Sequence, residues 1–189
     1  MKKKYQIIYA DPPWSYWAGG KKNAARHYNC MEIEDICALP IKNLADENCM
    51  LFLWITFPIL DRVFEVINAW GFKYSTCGFV WVKGKKKFNN KQTSFLPQDS
   101  IQDFVGCGGW TRANAEICLI AKKGKLERKS KSVRQIIYSP VRKHSQKPDI
   151  VKTRIIELCG DLPRIELFAR QKTEGWDVWG NEVKSDIEL

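Results

Sequence analysis

Cys49-Met50-Leu51-Phe52-Leu53-Trp54-Ile55 is an unbroken apolar run. A strand of this composition has no face to offer water, so it must be covered on both sides, as strands are in the parallel sheets of α/β proteins. The residues that follow supply a cover. Pro58 suits a helix's first turn, Ile59, Leu60, Val63, Phe64, Val66, Ile67 and Trp70 recur at helical spacing, and Gly71 stops the run. Another strand is predicted over 78–82. Upstream, Tyr5-Gln6-Ile7-Ile8-Tyr9-Ala10 reads as a buried strand halted by Asp11-Pro12-Pro13. Downstream, strands are predicted over 116–121, 135–139 and 164–168, with a helix that opens at Ser145 or Pro148 and ends at Gly160. Strands alternating with helices predict an α/β sheet with helices on both faces. The 189 residues show no repeat and no linker, which predicts one domain over 1–189.

In open α/β sheets, ligands bind beyond the carboxyl ends of the strands. That directs attention to 11–14, 54–57, 83 onward and 169–170. Metal chemistry is not expected there: the seven cysteines contain no C-x-x-C pair and only two histidines accompany them, which also disfavours a disulfide framework. No apolar run approaches the ~18 residues of a membrane span, so a soluble, cytoplasmic protein without a membrane partner is expected.

The net charge of +10 is concentrated. Residues 83–154 hold 18 Lys+Arg against 5 Asp+Glu, whereas the rest of the chain holds 13 against 16. The densest parts are Lys83-Gly84-Lys85-Lys86-Lys87 and 122–134, which read as exposed loops. Such runs are either solvated charge or a polyanion contact. Eight tryptophans favour nucleic acid, whose bases stack on aromatic rings. The basic loops within 83–134 are therefore read as a nucleic-acid-binding insert.

Asp11-Pro12-Pro13-Trp14 has the chemistry to address an exocyclic amino group on a flat base. Such a nitrogen is a poor nucleophile because its lone pair is delocalised into the ring. The Asp11 carboxylate and the Pro12 carbonyl, each accepting one N–H, would favour the pyramidal, electron-rich amine. Proline fixes φ and holds the carbonyls still, and Trp14 offers a stacking face. The alternative is a bare turn with Trp14 plugging the core.

Ile8-Tyr9-Ala10-Asp11-Pro12-Pro13-Trp14, followed by Leu51-Phe52-Leu53-Trp54, Trp81-Val82-Lys83, 110–121, His144-Ser145-Gln146-Lys147-Pro148, 164–170 and 176–182, resembles the MT-A70 family of adenine N(6)-methyltransferases. That family includes messenger-RNA methyltransferases and small bacterial and phage DNA methyltransferases. The likeness runs from residue 5 to 183. It implies an S-adenosylmethionine-dependent transfer to the amino group of adenine on a Rossmann-like methyltransferase sheet in circularly permuted order, with the target-amino motif first and the cofactor strand last. It implies catalytic roles for Asp11, Pro12, Pro13 and Trp14. Around the cofactor it places Asp11, Ser145, Lys147, Glu166, Phe168, Arg170, Asn181 and Glu182, with Lys147 near the cofactor's carboxylate. A cation beside a helix N-terminus is independently a sensible carboxylate site. Three departures stand out. Only ten residues precede Asp11, so a more open adenine pocket and a lower cofactor affinity are expected. Gln171-Lys172-Thr173 replaces a His-Asn pair, and Ala169 replaces a glycine.

An adenine inside a duplex hides its amino group, so it must be flipped out or offered unpaired. Tyr16, Lys22, Arg26, His27 and Tyr28, on the loop after the tetrad, are candidate contacts for that step. Trp110 and Arg112 join them, with Lys83, Lys85, Lys86 and Lys87 as a phosphate rail. DNA is the favoured polymer and RNA the alternative. A short or relaxed recognition site is expected, because no separate target-recognition domain is visible. A different class of reading is a non-catalytic nucleic-acid-binding subunit that works with a partner or a second copy. The whole tetrad and Lys147 argue against it.

Overall fold

The structure is a computed structural model that describes residues 3–18, 21–22, 30–86, 101–103, 106, 110–142 and 146–189. In chain order its elements are β1 (Tyr5–Ala10), β2 (Trp17–Ala18), β3 (Lys21–Lys22), α1 (Ile33–Ala38), β4 (Ala45–Ile55), α2 (Val63–Ala69), β5 (Lys73–Lys86), β6 (Ile101–Asp103), β7 (Ala115–Lys123), β8 (Ile136–Pro140), α3 (Ile150–Cys159), β9 (Arg164–Leu167) and β10 (Asp177–Trp179). Eight strands form one sheet in the order β10-β9-β1-β4-β7-β5-β6, with β8 also paired to β5. Strands β1, β4, β9 and β10 run parallel. Between β4 and β5 lies β7, antiparallel to both, while β8 runs with β5.

The chain enters this sheet at its middle. From β1 it moves to β4 on one side, and it later returns to β9 and β10 on the other. The strand order therefore reverses between β1 and β9, which opens a crevice beyond their carboxyl ends.

The apolar strands are covered as their composition demands. On one face, Ile8, Ala10, Leu51, Leu53 and Ile55 pack with Ile33 and Ile36 of α1 and Val63, Val66 and Ile67 of α2. On the other, Ile7, Tyr9, Met50, Phe52 and Trp54 pack with Val151, Ile155 and Cys159 of α3. Successive residues of β1 and β4 alternate between two cores because successive side chains of a strand point to opposite faces.

Several elements differ from expectation; α1, β2, β3 and β6 have no counterpart in the sequence reading. The helix predicted from Pro58 is cut short: Phe57–Ile59 forms a single 3-10 turn, and α2 begins at Val63. Leu60 and Phe64 are exposed, so the stretch holds more apolar residues than one helix face can bury. The predicted strand over 78–82 grows to fourteen residues in β5, with two register shifts against β7. Strand β10 was not predicted at all. It is three residues long and exists by pairing with β9. Gly160 ends α3 with φ of 91°, a conformation that only glycine takes freely.

The second basic stretch departs from the first in position. Lys122 and Lys123 belong to β7, and Lys123 pairs with Cys49 near the start of β4, whereas Ala10 pairs with Leu53. Four residues of strand separate those levels, ~13 Å. Residues 124–135 therefore leave the sheet at the end remote from Asp11, whereas Lys83, Lys85 and Lys86 stand in β5 and not in the expected loop, so the two basic stretches do not make one rail. No helix among the described residues is long and apolar enough to cross a membrane.

Candidate active site

Beyond β1 the chain turns out of the sheet under backbone control. The Trp14 N–H donates to the Pro12 carbonyl at 2.9 Å, and the Met31 N–H donates to the Pro13 carbonyl at 2.8 Å. Trp14 is 3% exposed and its indole N–H donates to the Trp54 carbonyl at 2.9 Å. Trp54 in turn donates its indole N–H to the Tyr9 hydroxyl at 2.8 Å. The open stacking face expected of Trp14 is thus absent. Its ring joins the core beneath α1 and α2, where it fixes the turn. The Pro12 carbonyl has two lone pairs, of which the Trp14 N–H takes one.

Asp11 faces a lysine from the other end of the chain. Lys147 Nζ donates to Asp11 Oδ1 at 2.8 Å and to Oδ2 at 2.7 Å. The same ammonium lies 3.2 Å from Glu116 Oε2, and Glu116 Oε1 accepts from Lys83 Nζ at 2.5 Å. Asp11, Lys147, Glu116 and Lys83 form a chain of alternating charge. Burial pushes the Asp11 carboxyl above its ordinary value, with Lys147 pulling against it. Burial also opposes the charge on Lys147, yet Asp11 and Glu116 outweigh it and hold the ammonium above its ordinary value. At Glu116 burial is likewise overcome, and the two lysines keep that carboxyl below its ordinary value. Glu116 carried no signal in the sequence beyond an acid at the mouth of an apolar strand.

Beside this chain a cavity of about 240 Å³ opens between the ends of β1 and β9. Asp11, Lys147, Glu166, Phe168, Arg170 and Glu182 all line it, so six of the eight expected cofactor residues come together. Asn181 is exposed and is not among the lining residues. Ser145 lies outside the described residues. Phe168 holds φ of 61°, a left-handed conformation that costs a non-glycine residue strain, and its ring meets Trp179 edge-on at 5.3 Å. Arg170 Nε lies 3.4 Å from Glu182 Oε1. The turn carrying Glu182 passes so close to the Ala169 carbonyl that a Cβ on Gly180 would sit 2.2 Å from its oxygen.

Lys152 also lines the cavity and escaped the sequence reading. Its ammonium donates to Glu166 Oε2 at 2.5 Å and to Thr173 Oγ1 at 2.6 Å. Its place in the first turn of α3, next to the inward-facing Val151, was the available clue. Burial raises the Glu166 carboxyl above its ordinary value, against the pull of Lys152. Lys152→Met removes that pull and raises it further. The folded state then binds a proton that the unfolded chain has released, so the variant loses stability as pH rises. The expected loss is about 1–3 kcal/mol at pH 8 and clearly less at pH 5, read by denaturant melts at both values.

The candidate nucleic-acid contacts divide. Lys83 is engaged with Glu116 and lies 5.2 Å from the centre of the Trp81 ring, which takes it off the phosphate rail. Tyr16 is partly buried against the α1/α2 core. Trp110 is fully exposed and Arg112 is exposed. Both precede β7, at the sheet end that also carries Asp11. Of Lys22, Lys85 and Lys86 the backbone alone is described, and Arg26, His27, Tyr28 and Lys87 lie outside the described residues.

A permuted α/β sheet whose central strand ends in Asp-Pro-Pro-Trp, beside a crevice shared with β9, defines a Rossmann-like methyltransferase domain. The MT-A70 family profile matches residues 5–182, and the chain belongs to that family. By that membership it is an adenine N(6)-methyltransferase. Type II methyltransferase M.MunI of Mycoplasma sp is 32% identical to it, over 96% of this chain and 79% of that protein. The human N(6)-adenosine-methyltransferase catalytic subunit METTL3 is 26% identical, over 95% of this chain but 28% of its own length. Human N(6)-adenine-specific methyltransferase METTL4 is also 26% identical, over 96% of this chain and 38% of its own length.

Proposed function

We propose that this chain transfers the methyl group of S-adenosylmethionine to the exocyclic amino group of adenine in DNA. The observation that carries the reading is Asp11, placed on the rim of a crevice whose lining suits that cofactor. Lys147 and Arg170 offer cations to a carboxylate. Glu166 and Glu182 offer acceptors for an ammonium group and for ribose hydroxyls, and Phe168 offers an apolar ring. When bound, S-adenosylmethionine supplies an electrophilic methyl group.

The rest of the chemistry belongs to the chain. Asp11 and the Pro12 carbonyl each accept one N–H of the target amine, which turns its lone pair away from the ring. As the new C–N bond formed, the cofactor's S–CH3 bond would break and leave a neutral thioether; the nitrogen would then carry the positive charge, and its proton would leave by way of the Asp11 carboxylate to solvent. For Asp11 to accept the amine it releases at least one of its two bonds to Lys147. Lys147 would also hold the cofactor's carboxylate, and that contact would favour the release.

DNA is supported by the extent of the likeness to M.MunI, of which the chain covers most. RNA is the second reading, favoured by the likeness to METTL3. Methyl-labelled cofactor offered with single-stranded DNA, duplex DNA and RNA decides between them. Label in adenine of DNA is expected. Label in RNA alone would transfer the proposal to RNA, and no label on any polymer, with cofactor bound, would favour the non-catalytic subunit.

Salt gives a second check. From 50 to 200 mM, transfer is expected to fall about tenfold or more, because phosphate contacts release counterions, while cofactor affinity moves less than about twofold. Glutamine at Lys125, Arg128, Lys129 and Lys131, on the remote loop, is expected to leave transfer to a short duplex unchanged. A matching loss with the remote loop neutralised would return that loop to the substrate path.

A further inference from the structure

We infer that Lys83 is a positioning residue of the transfer site: by holding Glu116, it leaves the Lys147 ammonium to Asp11. The inference rests on the reading of Asp11 as the acceptor of the target amine. An ammonium has three N–H bonds to give. Lys147 gives two to Asp11, at 2.8 and 2.7 Å, and faces Glu116 at the longer distance of 3.2 Å. Two carboxylates thus compete for one cation, and Asp11 holds the shorter contacts.

Lys83 explains the outcome. Its ammonium meets the other oxygen of Glu116, Oε1, at 2.5 Å, so Glu116 is satisfied without drawing Lys147 across. The lysine is itself firmly set. Its backbone N–H donates to the Asn114 carbonyl at 2.7 Å, and the neighbouring Trp81 indole donates to the Ser139 carbonyl at 2.9 Å. The side chains of Lys83, Glu116 and Lys147 are 20%, 17% and 8% exposed, so water is a poor substitute partner for any of them.

Without the Lys83 charge, Glu116 is a buried carboxylate left with the Lys147 ion pair. Lys147 shifts toward it, Asp11 loses a donor, and the ionised form of Asp11 is less favoured. Besides Lys147, the described charged groups that face Asp11 are Glu116 on β7, and Glu166 and Arg170 on and after β9. The buried Tyr9 and Cys118 face it as well. Of all these, Glu116 is the one that Lys83 contacts, so its influence passes through Glu116.

A double-mutant cycle on the full chain isolates that route. The titration of Asp11 is followed by carbon NMR of its labelled carboxyl, a readout that requires no methyl transfer. Lys83→Met is expected to raise the Asp11 midpoint by about one pH unit, whereas Lys83→Arg leaves it near its original value. In a Glu116→Gln background, Lys83→Met is expected to shift Asp11 by much less, since the competing carboxylate is gone. The acid limb of the methyl-transfer pH profile moves with the Asp11 midpoint. An equal shift in both backgrounds, or none in either, would overturn the assignment even with methylation intact. Full coupling in a protein that methylates nothing would sustain the wiring and strike the transfer reading instead.

Discussion

Asp11→Asn is expected to lower methyl transfer about 10²–10³-fold, the usual loss when one aligned group is removed from a charge-stabilising site. The substitution keeps the shape of the side chain and one carbonyl oxygen. What it removes is the negative charge that localises the amine's lone pair and takes up its proton. The fold should survive, because Lys147 retains Glu116 as a counter-ion at 3.2 Å. Single-turnover transfer at saturating cofactor is the decisive measurement, with circular dichroism as the fold control. The same residue sets the acid limb of the wild-type profile. Its carboxyl is raised above the ordinary value, so activity should rise with pH as Asp11 ionises, and that limb should vanish in Asp11→Asn. A variant that retained wild-type turnover would remove Asp11 from the reaction.

Trp54→Ala is expected to be the most damaging substitution for stability, at about 3–5 kcal/mol. The indole is fully buried in the α3-side core and its N–H is the donor to the Tyr9 hydroxyl. Truncation leaves a cavity and deprives the buried Tyr9 hydroxyl of the Trp54 donor. For a chain of this length the midpoint of thermal unfolding should fall by about 10 °C, measured by calorimetry. Trp54→Phe fills most of the space without replacing the hydrogen bond and should fall between the two. The backbone carbonyl that receives Trp14 belongs to the same residue, so surviving Trp54→Ala protein should also show a disordered tetrad and slow transfer.

Much of the fold was legible because Ile7–Ala10 of β1 and Cys49–Ile55 of β4 are apolar runs, which few arrangements other than a doubly covered sheet can bury. Asp11 and Lys147 were legible for a different reason: they sit in short motifs directly after a strand and before a helix. The Lys83–Glu116 contact was not. It depends on how β5 pairs with β7, and that pairing contains two register shifts that no local pattern announces. Lys152 was missed because a lysine in a helix's first turn usually faces water, and its partner Glu166 becomes visible only once β9 is placed beside β1. Trp14 illustrates the opposite failing. An aromatic ring after a rigid turn can stack on a ligand or seal a core, and the choice rests on whether the Trp54 carbonyl lies within reach.

The alternation of β1 and β4 between two cores bears on how the molecule comes apart. Neighbouring residues of one backbone anchor opposite layers, so neither layer can loosen while the other keeps its strands in place. Unfolding should therefore proceed in one cooperative step. The slowest hydrogen exchange is expected at the amides of β1 and β4, directly behind the turn that presents Asp11. The crevice thus borrows its rigidity from the last part of the protein to melt.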